Sequence, residues 1–227
     1  MRLIAEIGSS PAPTWDFERW CDAARDAGAT DVKAQCFLAA HFPESEQASK
    51  LPLEFPRARL PEFVAAAHVR GLGCGMSVFD AEAVELAARY CDWLKLASRE
   101  IGNHELVKAA YRQGEKGIPI YRSIPERWKG PLRPQPYVTL LGVVPVYPAR
   151  MIDSCWQAHS FARWFRINDV ARWGWSSHTT GLLDCVLAAR LGASVIEKHL
   201  AIDPNNIEAS HSLSPHQFKR LAAAVLK

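Results

Sequence analysis

The sequence predicts a single parallel α/β unit closed as a (β/α)8 TIM barrel. Short apolar runs alternate with amphipathic helical stretches along the whole chain, the pattern of βα units. The runs number eight, and eight parallel strands close economically into a barrel with a filled interior. With 227 residues and 48% apolar content, the chain buries one substantial core, which makes 1–227 one domain near the lower end of barrel size.

Residues 2–7 (RLIAEI) form the first strand. A helix over 14–28 follows, with Thr14 as its cap and Gly28 closing it. The second strand is 31–36 (DVKAQC), followed by a long proline-containing stretch over 37–59 and a helix near 60–70. LGCGMSVF is the third strand, Asp80 caps a helix near 81–90, and DWLKLAS is the fourth. A helix near 103–113 leads to the strands GIPIYRS and YVTLLGVV. Between these two, RSIPERWKGPLRPQPY carries Pro125, Pro131, Pro134 and Pro136, and proline breaks helix interiors. The fifth helix is therefore expected to be missing or reduced. A helix near 151–168, a short strand at 172–176, a helix near 179–191, the strand ASVIEKHL and a helix from 214 onward complete the pattern. An open doubly wound sheet is disfavoured, because AEIGSSPAP after the first strand is not the G-x-G-x-x-G phosphate loop such sheets use.

The net charge of +3 comes without any block of like charges, which argues against a nucleic-acid partner. No apolar run reaches the roughly 18 residues of a membrane span, and the start MRLIAEIG lacks a leader pattern. Six cysteines without a C-x-x-C pair read as reduced thiols of a cytoplasmic protein.

In a barrel the chemistry sits where the strands end at their carboxyl side. Polar residues collect there on nearly every strand: Glu6, Lys33 and Gln35, Ser77, Lys95 and Ser98, Ser123, Tyr147, Ser176 and His178, and Glu197 and His199. A strand lysine is usually an exposed edge residue and a strand-end serine usually a turn or cap. Lysines are rarely buried unpaired, so two within apolar barrel strands point to a ligand. His178 and His199 end neighbouring strands about 4.8 Å apart, a natural arrangement for two imidazoles on one cation. The other histidines, His211 among them, show no comparable placement, and His68 and His104 fall on helix surfaces. The tryptophans 156, 164, 173 and 175 read as packing between helix and barrel wall, with the roof of a pocket as the lesser alternative.

In this order, the motifs IAEIG, VKAQ, WLKLASREIGN, Tyr147–Pro148, WSSHTTG, GASVIEKHL and SLSPHQF resemble the N-acylneuraminate (sialic acid) synthase family from Ile4 to Phe218. The resemblance implies a metal-dependent condensation of phosphoenolpyruvate with the open-chain aldehyde of an N-acylmannosamine, giving a nonulosonic acid and phosphate. It implies a divalent ion on His178 and His199, manganese-like, with magnesium or cobalt as alternatives. Lys33, Lys95, Ser77, Ser98, Ser123 and Ser176 would cradle phosphoenolpyruvate. Glu6, Gln35 and Tyr147 would orient the sugar, with Glu208 as the match to a sugar-side acid, and Glu197 would handle protons. Glu6, Glu197 and Tyr147 thus form the expected catalytic set, and a homo-oligomer is left open.

The chain also departs from that family. Ser177 stands in S-S-H-T where the family has S-D-H-T, implying a carboxylate lost near the metal. Pro145 replaces an asparagine, and Ser10, Pro11 and Ala12 replace N-H-N-G. Ile124, Pro125 and Glu126 replace T-G-M, and the family's C-terminal antifreeze-like domain is expected to be absent. These departures motivate a competing reading: a non-catalytic or divergent relative that binds an anionic sugar or phosphate.

Overall fold

The computed structural model describes residues 1–125, 135–170 and 172–226. Its eight strands are β1 (Arg2–Gly8), β2 (Asp31–Cys36), β3 (Gly73–Val78), β4 (Trp93–Leu96), β5 (Ile120–Pro125), β6 (Val138–Val143), β7 (Trp173–Ser177) and β8 (Val195–His199). They are hydrogen-bonded in sequence order, all parallel, and β1 pairs with β8 to close the barrel. This is the (β/α)8 fold expected from the eight apolar runs.

The helices lie outside the barrel: α1 (Phe17–Asp26), α2 (Glu44–Lys50), α3 (Leu60–Val69), α4 (Ala81–Tyr90), α5 (His104–Glu115), α6 (Met151–Ile167), α7 (Leu183–Arg190) and α8 (Pro215–Val225). Asp80 caps α4 as the sequence suggests, accepting from the Ala83 amide at 2.7 Å, and Ser214 opens α8 with a capping box to Gln217. Thr14 does not cap α1. Its hydroxyl donates to the Pro11 carbonyl and is spent in the preceding turn, so Asp16 caps instead, accepting from the Arg19 amide. Helix α7 begins at Leu183 rather than near 179, because the Thr179 side chain is engaged with Gly181 and Asp184 in the intervening turn. The stretch 37–59 contains the short helix α2. The expected loss of the fifth helix falls on 126–134, as does Glu126, outside the described residues.

Side chains alternate across each strand, which sorts the barrel into an inner and an outer set. Toward the amino ends of the strands, Ile4, Trp93, Tyr121, Leu141 and Val195 form an apolar cluster separate from the main core. Trp93 fits because Gly75 on β3 has no side chain: a Cβ there would lie 2.3 Å from the indole. The indole N–H donates to the buried Asp31 carboxylate at 3.0 Å. Two positions further along the same faces come Glu6, Lys95, Ser123, Val143 and Glu197, so the apolar layer is the floor on which the polar layer stands.

Of the tryptophans, Trp173 and Trp175 pack in the core as expected, whereas Trp156 is 70% exposed and Trp164 36%. None of the four lines the barrel-mouth cavity, so the roofing alternative does not hold. All six cysteines are free. Among the described residues, no helix is long and apolar enough to cross a membrane.

Candidate active site

A cavity of about 560 Å³ opens at the carboxyl ends of the strands. Every residue singled out from the sequence lines it: Glu6, Lys33, Gln35, Ser77, Lys95, Ser98, Ser123, Tyr147, Ser176, His178, Glu197, His199 and Glu208. Gln35 and Ser98 are half-buried and Tyr147 is exposed, while Glu6, Lys33, Ser77, Lys95, Ser123, Ser176, Glu197 and both histidines are buried.

At the bottom of the cavity, strand register brings Lys33 beside Glu6 and Ser77 beside Lys95. The Lys33 ammonium pairs closely with Glu6 and donates to Ser77 Oγ at 2.6 Å. Lys95 donates to Glu197 Oε1 at 2.8 Å, and the Ser176 hydroxyl donates to the same oxygen at 2.8 Å. Burial by itself would push the Glu197 carboxyl up, but Lys33 and Lys95 outweigh it and hold the group well below the usual carboxylate range. Burial brings Lys33 down to about 7, against the opposing pull of Glu197. Among the described residues, two buried oxygens here lack a hydrogen bond: Ser123 Oγ and Glu197 Oε2, the latter with Lys33 at 3.6 Å. Orphaned polar atoms lining a cavity are groups that a ligand or water can satisfy.

The opposite wall is aromatic and imidazole-rich. Tyr147 stacks on His178 with centroids 3.9 Å apart, and His178 lies 5.7 Å from His199. A carbonyl can only accept, so the contact of His178 Nδ1 with the Val144 oxygen at 2.9 Å fixes the proton on Nδ1 and leaves Nε2 with a free lone pair. His199 Nδ1 likewise meets Glu208 Oε2 at 2.8 Å, the carboxylate–histidine arrangement that orients metal ligands. Gly8, at φ +53°, leaves room for that carboxylate, since a Cβ would lie 2.2 Å from it. The Ser9 amide donates to its other oxygen at 2.9 Å. Burial pushes the Glu208 carboxyl up, with the Ser9 amide opposing. Burial lowers His178 well below the usual imidazole range and His199 to about 3, so both rings are neutral at pH 7. Two neutral imidazoles with free Nε2 atoms fit a divalent cation.

Two sequence expectations change. Ser177 does not face the cavity. It follows the inward Ser176 on β7 and so points outward, accepting from the buried Lys198 at 3.1 Å. Lys198 also bonds the Thr179 carbonyl, and Asp184 holds Thr179 Oγ1 and the Trp175 indole at 3.0 and 2.9 Å. The S-D-H-T departure therefore falls on the network behind the His178 turn. The second change is His211: it is buried, its ring centroid lies 4.6 Å from that of His199, and it lines the cavity. The mouth adds Phe37, Phe42 and Phe79 with Lys50 and Arg99. Arg99 sits over the Phe42 and Phe79 rings at 4.3 and 5.5 Å. No periodicity flags these residues, since apart from Lys50 at the end of α2 they lie outside the strands and α-helices.

The profile of the NeuB family matches residues 129–227. The chain is 28% identical over 193 residues to the pseudaminic acid synthase of Helicobacter pylori, covering 80% of this chain and 54% of that protein. It spans about half the length of that curated relative. In fold, this chain is similar to the N-acetylneuraminic acid synthetase of Leptospira borgpetersenii, with a TM-score of 0.87 and 24% identity over 99% of this chain and 82% of that one. A spore coat polysaccharide biosynthesis protein E of Chromobacterium violaceum matches at a TM-score of 0.82 and 18% identity, over 99% and 73% of the two chains.

Proposed function

We propose that this chain condenses phosphoenolpyruvate with the open-chain aldehyde of an N-acyl amino sugar of the N-acetylmannosamine kind, yielding a nonulosonic acid and inorganic phosphate. The observation that carries this reading is the division of one cavity into a lysine–serine end and an imidazole end. Lys33, Lys95, Ser77, Ser98, Ser123 and Ser176 suit a compact phosphate-plus-carboxylate anion, which needs ammonium and hydroxyl donors in a dry site. His178 and His199 suit a divalent cation of the manganese class. When bound, such an ion supplies Lewis-acid polarisation of the aldehyde oxygen.

Charge balance supports the pairing of these two ends. At the floor Glu6 and Glu197 already balance Lys33 and Lys95, while at the other end half-buried Glu208 stands beside neutral imidazoles. A divalent cation at the imidazole end would supply the positive charge that an anionic substrate needs. In the reaction, C3 of phosphoenolpyruvate bonds to the aldehyde carbon, whose oxygen takes up a proton to become a hydroxyl. The resulting oxocarbenium at C2 adds water, which loses a proton, and the C2–O bond to phosphate then breaks. Glu197, held ionised between two lysines and Ser176, is suited to accept a hydrogen bond from the attacking water and orient it. Glu6, Gln35 and Tyr147 are suited to align the sugar, and Glu208 steadies His199.

The deciding experiment is phosphate release from phosphoenolpyruvate with a manganese salt and N-acetylmannosamine or related aldoses, beside a no-sugar control. Sugar-dependent release is the expected result, and no release with any aldose despite phosphoenolpyruvate binding refutes the carboligase reading. A non-catalytic binder of anionic sugars or phosphates is the second reading. It is favoured by Pro145, which lines the cavity without a polar side chain.

A further inference from the structure

The chain after β8 does not simply leave the barrel mouth. It loops out and returns, and the Leu213 amide donates to the His199 carbonyl at 2.9 Å while the Ala201 amide donates to the Leu213 carbonyl at 3.0 Å. This return lays the turn Ala209–His211 beside the end of β8 and buries His211 to 8% exposure. The His199 and His211 rings are 4.6 Å apart at 74°. One donor atom each from His199, Glu208 and His211 can be chosen so that all three lie within 4.8 Å of one another. Ligand nitrogens at about 2.1 Å from one ion lie at most about 4.2 Å apart, a span of the same order as this cluster's.

A buried histidine kept for packing normally has its ring nitrogens satisfied. Among the described residues, the His211 imidazole has one long hydrogen-bonding contact, Ser210 Oγ to Nδ1 at 3.3 Å. Its other neighbours are rings: His199, and Tyr147 at 4.9 Å. Glu208 has both oxygens engaged, by the Ser9 amide and His199 Nδ1, and so orients His199. The free nitrogen capacity beside His199 therefore belongs to His211.

We propose that His211 is a further imidazole ligand of the cation held by His199, making the centre nitrogen-rich. Such a donor set binds later first-row transition ions such as cobalt or zinc well ahead of magnesium, which prefers oxygen ligands. The inference rests on the cation reading given above, and the two fail in different ways.

The test is calorimetric titration of the full chain with cobalt(II) chloride, together with pulsed EPR of bound manganese(II) to count coupled nitrogens. Wild type, H211A, H211Q and H199A are compared, with H211Q keeping side-chain bulk should H211A fail to fold. The expected result is a cobalt dissociation constant raised at least about tenfold and one coupled nitrogen fewer in the His211 variants. If H199A loses the ion while both His211 variants keep wild-type affinity and nitrogen count, the inference is overturned and the cation reading stands. If wild type takes up no ion, or H199A binds as wild type does, the cation reading falls and His211 with it.

Discussion

Replacing Lys95 with methionine removes the nearer of the two cations that hold Glu197 ionised while keeping most of the side-chain volume. The lost contact is 2.8 Å long between groups that are each 3% exposed, and Glu197 keeps only Ser176 and the more distant Lys33. Leaving a buried charge without its partner costs about 3–5 kcal/mol. Glu197 has another route, which is to take up a proton. That costs about 1.36 kcal/mol for each pH unit above its ordinary value near 4.5, hence about 3.4 kcal/mol at pH 7 and about 0.7 kcal/mol at pH 5. The cheaper route sets the ceiling, and Lys33 lowers the cost further. In wild type the depressed Glu197 contributes stability above pH 4.5 and loses it as pH falls through its folded value. The gap between wild type and K95M should therefore widen as pH rises from 5 to 7. Urea unfolding of the ligand-free chain at pH 5, 6 and 7 measures it, with K95M/E197Q as the rescue. A gap independent of pH, or a double variant no more stable than K95M, refutes the assignment of Glu197 as the buried anion of this pair.

Further outcomes follow from neighbouring groups. Because burial brings Lys33 down to about 7, it loses its proton above that pH, and phosphoenolpyruvate affinity should fall by up to about tenfold per pH unit there. Calorimetry between pH 6 and 9 reads this slope, K33M should abolish it, and an equally steep slope in K33M sinks the assignment. Ser123→Ala removes a buried hydroxyl that has no hydrogen bond among the described residues. Urea stability should stay within about 0.5 kcal/mol or rise, while phosphoenolpyruvate affinity drops about five- to tenfold; unchanged affinity removes Ser123 from the anion cradle. Ser177→Asp places its carboxylate behind the His178 turn, next to Lys198, so cobalt affinity should stay within about twofold. A large gain would mean that position 177 reaches the cation after all.

The fold was legible because the inner faces of the strands are written in a period-two code that survives without knowledge of the partners. Lys33 and Lys95 stood out for the same reason, as ammonium groups inside apolar runs. The same code, applied one residue further, assigns Ser176 inward and Ser177 outward; the S-D-H-T comparison suggested a metal-side loss only because it ignored that alternation. Helix starts were less secure. Thr14 and Asp16 are both competent caps, and the choice depends on the Pro11 carbonyl having already taken the Thr14 hydroxyl. His211 was not legible at all. It sits in a turn without periodicity, and what brings it beside His199 is a pair of backbone hydrogen bonds through Leu213 that no side-chain pattern announces.

The apolar floor of Trp93, Tyr121, Ile4, Leu141 and Val195 has a kinetic consequence. With that plug beneath the lysines, the cavity opens at the carboxyl ends of the strands and is closed toward their amino ends. Under the proposed reaction, whatever seats against Lys33 and Lys95 would enter and leave by the same mouth as the occupant of the imidazole end. The barrel's packing would then couple the two arrivals and departures, which none of the reacting groups would do by themselves.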